Sequence, residues 1–145
     1  CYTHRRLLAQ TALQLIADGK NQKAINILKK ADVEIPPYNV TLEYMSGGLD
    51  MARGWLLTGQ KAKGKEYVEA VWKNAHQYLD YYLSLTNDRF LQSQNDCIRQ
   101  IMIMQSVCDV AGMVSPQLQK SYEKQLNALY TLYRGRGGSM PQGNQ

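Results

Sequence analysis

Cysteine is scarce in this chain of 145 residues. There are three, an odd number, which excludes a disulfide-stapled scaffold. Histidine is scarcer: His4 has Cys1 as a neighbour and His76 has Asp80, and there are no others. Neither pair brings the third and fourth ligands that a zinc site needs, so no metal and no cofactor is expected. Cys97 and Cys108 lie eleven positions apart on one helical pattern, ~16 Å along the axis. That is too far for a disulfide, and they read as small buried apolar residues. Long apolar runs are missing too. The richest stretch, Ile98 to Val114, is broken by Arg99, Gln100, Gln105, Ser106 and Asp109, so direct membrane insertion by this chain is not expected. No G-x-S-x-G, phosphate-loop, G-x-G-x-x-G, H-E-x-x-H or C-x-x-C pattern occurs. No nucleophile, base and oxyanion stabiliser fall together, so the expectation is a chain that is not an enzyme. Alternating strand patterns bounded by turn residues are also lacking.

What remains is helical. Leu8, Thr11, Ala12, Leu15 and Ile16 form one stripe that Gly19 stops, and Ala24, Ile27, Leu28 and Ala31 form a second that ends at Pro36–Pro37. A third helix is expected from Leu42 to Thr58, and a fourth through Val68, Val71, Trp72, Ala75, Leu79 and Tyr82. A fifth runs from the Thr86–Asn87–Asp88 cap to about Gly112. Ser115–Pro116 starts a sixth, because serine caps free amides and proline at the first helical position has none to leave unpaired. The expected fold is all-α, about six helices in antiparallel hairpins over 4–35, 42–84 and 87–134. Together these form one helical-repeat domain at 1–134 with a flexible tail at 135–145.

A register repeats inside the first half. Forty residues on, Ala12 maps to Ala52, Leu15 to Trp55, Gly19 to Gly59, Ala24 to Gly64 and Leu28 to Val68. Small residues let two helix backbones approach and a large apolar residue fills the gap, the tetratricopeptide arrangement of a right-handed solenoid. The last hairpin departs from the pattern and reads as a cap. In such a solenoid the first helices would turn Arg6, Ala9, Leu13 and Ile16, with Ser46, Leu49, Arg53 and Leu56, toward a peptide partner. Otherwise the arginines are solvated and the apolar members pack on the last hairpin.

The net charge is +5, and Lys20, Lys23, Lys61, Lys63 and Lys65 flank the two hairpin turns as a basic rim. The rim lacks the interleaved aromatics of single-strand binders and any groove-reading motif, so no specific nucleic-acid binding is expected. It reads as a solvated rim or as an anion site.

The order of features carries a resemblance. An Arg-rich start at Tyr2 to Arg6 precedes ALQLIADGKNQKAINIL, the Pro36–Pro37–Tyr38–Asn39–Val40 link, LTGQKAKGKEYV, and Tyr81–Tyr82–Leu83–Ser84–Leu85 before a long helix pair. In this the chain resembles the C-terminal soluble domain, of unknown function, of a bacterial family of multi-pass membrane proteins. Their N-terminal region is similar to GT-C glycosyltransferases of the protein O-mannosyltransferase type. The resemblance implies a domain on the extracytoplasmic, periplasmic side, attached to a sugar-transferring membrane region, with no catalytic residue on this chain. The chain begins at Cys1 and shows no basic-plus-apolar leader, as expected of a processed or excised chain. The expected function is a non-catalytic interaction domain whose partner is a protein, a peptide or its own membrane region. The alternatives are a purely structural appendage and a free-standing peptide-binding adaptor.

Overall fold

The structure, a computed structural model, describes residues 2–37 and 41–139, and of Tyr2 the backbone alone. Cys1, the middle of the expected link at 38–40 and the tail beyond 139 lie outside the described residues. Seven helices follow one another: α1 (Tyr2–Ala17), α2 (Asn21–Glu34), α3 (Gly48–Leu57), α4 (Lys61–Leu83), α5 (Asn87–Gln92), α6 (Gln94–Val114) and α7 (Pro116–Gly135). No strand occurs among the described residues.

The first two hairpins close with the same turn. Gly19 and Gly59 both take the left-handed conformation, at φ 77° and 82°. The amide of Lys20 reaches back to the Leu15 carbonyl and that of Gly19 to Ile16, while Gln60 reaches Trp55 and Gly59 reaches Leu56. Each pair of bonds satisfies the last carbonyls of the preceding helix, and a side chain at the left-handed position would be strained. Of the other positions forty residues apart, Leu15 is half-buried where Trp55 is buried, and three pairs share the core. Ala12 and Ala52 are buried, as are Leu28 and Val68, Ala24 and Gly64. Glycine at position 64 has a reason of its own. A Cβ there would lie 2.4 Å from Leu56 Cγ, so α3 and α4 approach more closely than an alanine permits.

Three boundaries differ from the sequence expectation. The third helix begins at Gly48 rather than Leu42. Gly47 sits at φ 82° with its α-carbon face against the Arg6 backbone, where a Cβ would meet Arg6 Cα at 2.7 Å. The expected fifth helix is two, α5 and α6, broken at Ser93, whose hydroxyl bonds back to the Phe90 carbonyl at 2.8 Å. The tail expected to be flexible from 135 is docked as far as Ser139. Tyr133 Oη donates to the Ser139 carbonyl, and Arg136 donates to the Leu83 carbonyl and to Asn87 Oδ1. Gly138 lies flat on the Tyr133 ring, where a Cβ would come within 2.4 Å. The start of α7 is as expected, with Ser115 Oγ accepting from the Leu118 amide at 3.1 Å and Pro116 in the first turn.

One continuous core runs through the chain, from Ala12 and Leu28 through Trp55, Val68 and Val71 to Ile101, Met104, Val107 and Tyr133. The Trp72 and Tyr122 rings stack at 4.0 Å and tie α4 to α7. Helix α6 is long and apolar enough, by length and composition, to cross a membrane. Here it is the central helix of the second half, burying Cys97, Ile101, Met104, Val107, Cys108 and Ala111 among others in the core.

Candidate functional site: a groove along α6

The connection between α2 and α3 is held from beneath by a buried arginine. Arg5 Nη2 donates to the Ile35 carbonyl at 2.8 Å, and Nη1 donates to the Thr41 carbonyl at 3.0 Å and to Ser46 Oγ at 3.1 Å. An arginine is seldom fully buried unless its donors are met, and here carbonyls at both ends of one connection converge on it. Ser46 Oγ in turn accepts from the Glu43 amide and donates to the Thr41 carbonyl at 2.7 Å. Next to this clamp, Tyr67 Oη donates to Asp32 Oδ1, and Lys63 Nζ pairs with Asp32 Oδ2 at 2.8 Å. Burial, reinforced by the Asp32 carboxylate, pushes the Tyr67 hydroxyl far up, so it stays a donor.

The clamp fixes a tight turn at Glu43–Gly47, and Tyr44 and Met45 stand at its tip, 44% and 57% exposed. Across from them lies the outer face of α6. Between the two runs a cavity of about 620 Å³ whose apolar lining is Tyr44, Met45, Ile98, Met102 and Ile103. Met102 is 55% exposed, so this strip is open to an occupant. Arg99 lines one end and Asp109 the other, with Gln105 and Ser106 between. At the Arg99 end the groove continues into a smaller hollow under Tyr78, Tyr82 and Asn74, and at the Asp109 end into one formed with Glu123, Leu126 and Asn127. Burial raises the Tyr82 hydroxyl and keeps it neutral beside Arg99.

The residues assigned from sequence to a partner-binding face do not form one. Ala9 and Leu49 belong to the core, and Ser46 is buried on Arg5. The physical reason is that α1 and α3 pack on each other, so the side taken for the concave surface is largely the contact between them. Arg6 is exposed, Leu13, Ile16 and Leu56 are half-buried, and Arg53 pairs with Asp50 on its own helix at 3.2 Å. Along the basic rim Lys20, Lys23 and Lys61 are exposed, Lys65 pairs with Glu69 at 3.7 Å, and Lys63 is held by Asp32 and Glu66.

His76 Nδ1 faces Asp80 Oδ2 at 2.9 Å and His4 faces Glu34 at 3.6 Å. Among the described residues no group of three or more His, Cys, Asp or Glu is placed to hold a metal. Burial pushes the Cys108 thiol up to about 11 and raises that of Cys97, which leaves both as packing groups rather than nucleophiles.

Sequence reasoning missed Arg5, Asp32 and Tyr67, and it missed the groove. A signal for Arg5 existed, since it falls on the apolar side of α1 four residues before Ala9. The groove had none, because its walls come from segments some fifty residues apart. No protein-family model, no curated protein and no solved structure matches the chain.

Proposed function

We propose that this chain is a non-catalytic helical-repeat interaction domain, stacked in the tetratricopeptide manner, whose groove along α6 holds a segment of a protein partner or of its own membrane region. The observation that carries this reading is the open apolar strip of Met45, Met102 and Tyr44 over Ile98 and Ile103. Exposed methionines at one place are costly to leave in water and adapt readily to a partner's side chains. The identical turns at Gly19 and Gly59 support the stacked-repeat part, as does the nesting of α3 against both α1 and α2 and of α6 against both α3 and α4. The resemblance supports the remainder, an extracytoplasmic C-terminal domain of a membrane-embedded glycosyltransferase-like protein. The basic rim serves as a solvated edge, since Lys63 and Lys65 are already paired with carboxylates.

The test is photo-cross-linking in the full-length protein, in its native membrane, from a reactive residue at position 102 and, as a control, at position 65. Cross-links to protein from position 102 that are absent from position 65 are expected. Their size separates a partner chain from the protein's own membrane region. Equal or absent cross-linking from the two positions would refute the interaction reading.

A further inference from the structure

The groove has an electrical direction as well as an apolar floor. Arg99 and Asp109 lie ten residues apart on α6, ~15 Å along its axis. Among the described residues neither has an ion-pair or hydrogen-bond partner. Glu123 adds a second carboxylate beyond Asp109, with Asn127 beside it. At the other end the hollow beyond Arg99 is lined by the Tyr78 and Tyr82 rings and by Glu43, which makes no ion pair with Arg99. Within the groove itself the charged lining is the Arg99 guanidinium toward one end and the Asp109 carboxylate at the other, with methionine and isoleucine between.

We infer that the occupant of this groove is an amphipathic helix of about ten residues in a protein segment, with an apolar middle. It carries a carboxylate in its first turn facing Arg99, and a lysine or arginine in its last turn facing Asp109 and Glu123. This rests on the interaction reading above and adds the chemistry and direction of the partner. A helix is favoured over an extended strand because the groove walls are a helix face and a turn, with no strand edge to pair with peptide backbone. A helix meets its own backbone hydrogen bonds and needs only side-chain contacts. The charge order follows from the two ends of the groove together with the helix dipole, which favours acid at the start and base at the end. The occupant thus runs parallel to α6. Exposed methionines on both walls, Met45 and Met102, allow apolar side chains of differing shape to seat between the fixed charges.

The experiment is selection of a phage-displayed library of random peptides, about twelve residues long so as to cover the groove, on the full chain, with counter-selection on the Met102→Glu variant. Synthetic copies of the enriched peptides are then titrated against the unaltered chain and against Arg99→Glu and Asp109→Lys. Both positions are exposed, and unchanged melting of each variant verifies folding. The expected peptides need Met102 and share acid first, apolar middle and base last. Arg99→Glu weakens them by about tenfold or more, and replacing the peptide's acid by lysine restores binding to that variant. Peptides that need Met102 but show no charge order, and that ignore Arg99→Glu, would overturn this inference and leave the interaction reading standing. A selection that yields no Met102-dependent peptide would overturn both.

Discussion

Leu28 and Gly54 offer a double substitution whose sign can be worked out in advance. Leu28 on α2 is completely buried, and a Cβ built on Gly54 of α3 would lie 3.0 and 3.1 Å from its two methyl carbons. Truncating Leu28 to alanine removes three carbons, about 2.4 kcal/mol of transfer at ~0.8 kcal/mol each. The cavity left behind raises the cost to about 3–5 kcal/mol. For a chain of this size that is a fall in Tm of roughly 10 °C. Gly54→Ala alone gains up to about 1 kcal/mol of helix propensity but crowds the Leu28 methyls, and the two effects nearly cancel. In the Leu28→Ala background the crowding is gone and the new methyl enters vacated space, so the same substitution stabilises by about 1–2 kcal/mol. Urea unfolding of the four proteins closes the cycle. A Leu28→Ala loss under about 1 kcal/mol would place that side chain outside the core. A Gly54→Ala effect equal in both backgrounds would refute the close approach of α2 and α3.

Gly19→Ala and Gly59→Ala should each destabilise by about 1–2 kcal/mol and by nearly the same amount. Both sit at left-handed φ with no atom within 4 Å of the added Cβ, and a difference above about 1 kcal/mol in chemical denaturation would mean that the two turns are not equivalent. Ser115→Ala should cost about 1 kcal/mol through loss of the bond from the Leu118 amide, with Ser115→Asp close to neutral, and equal losses for both would contradict the capping role. Alkali should weaken the fold early. Burial pushes the Cys108 thiol up to about 11 and the Tyr122 hydroxyl up to about 12, so once the unfolded forms ionise near pH 9 and 10 the folded chain holds more protons. The stability these groups contribute is whole below about pH 9 and is lost as pH rises through their folded values. Urea midpoints that stay flat from about pH 8 to 11 would contradict that burial.

Local chemistry accounts for what the sequence made legible. Gly19 and Gly59 announced two turns because few residues other than glycine fill a left-handed position cheaply, and Ser115–Pro116 announced a helix start through the serine oxygen and the missing proline amide. The start of α3 was not legible. Leu42, Ser46 and Leu49 keep helical spacing, while the real boundary is set by Gly47 seated on the Arg6 backbone, a contact forty-one residues distant. The supposed binding face failed for a related reason: periodicity identifies the apolar side of a helix but not which neighbour covers it. Arg5 looked like part of a basic start, and only the convergence of the Ile35 and Thr41 carbonyls shows why a charge sits there in the core. The groove depends on Tyr44 and Met45 being carried over to α6 by that clamp, so neither segment alone contains it.

The most direct test of the binding groove is the methyl spectrum of the chain labelled at its methionines, recorded while a Met102-dependent peptide is titrated in. Met45 and Met102 line the groove, Met51 and Met104 are buried in the core, and Met113 is exposed but stands outside the groove. The Met45 and Met102 signals are expected to move together and saturate with one equivalent of peptide, while those of Met51, Met104 and Met113 hold their positions. Movement of Met113 with Met45 unmoved would place the peptide elsewhere on α6 and contradict the assignment of the groove.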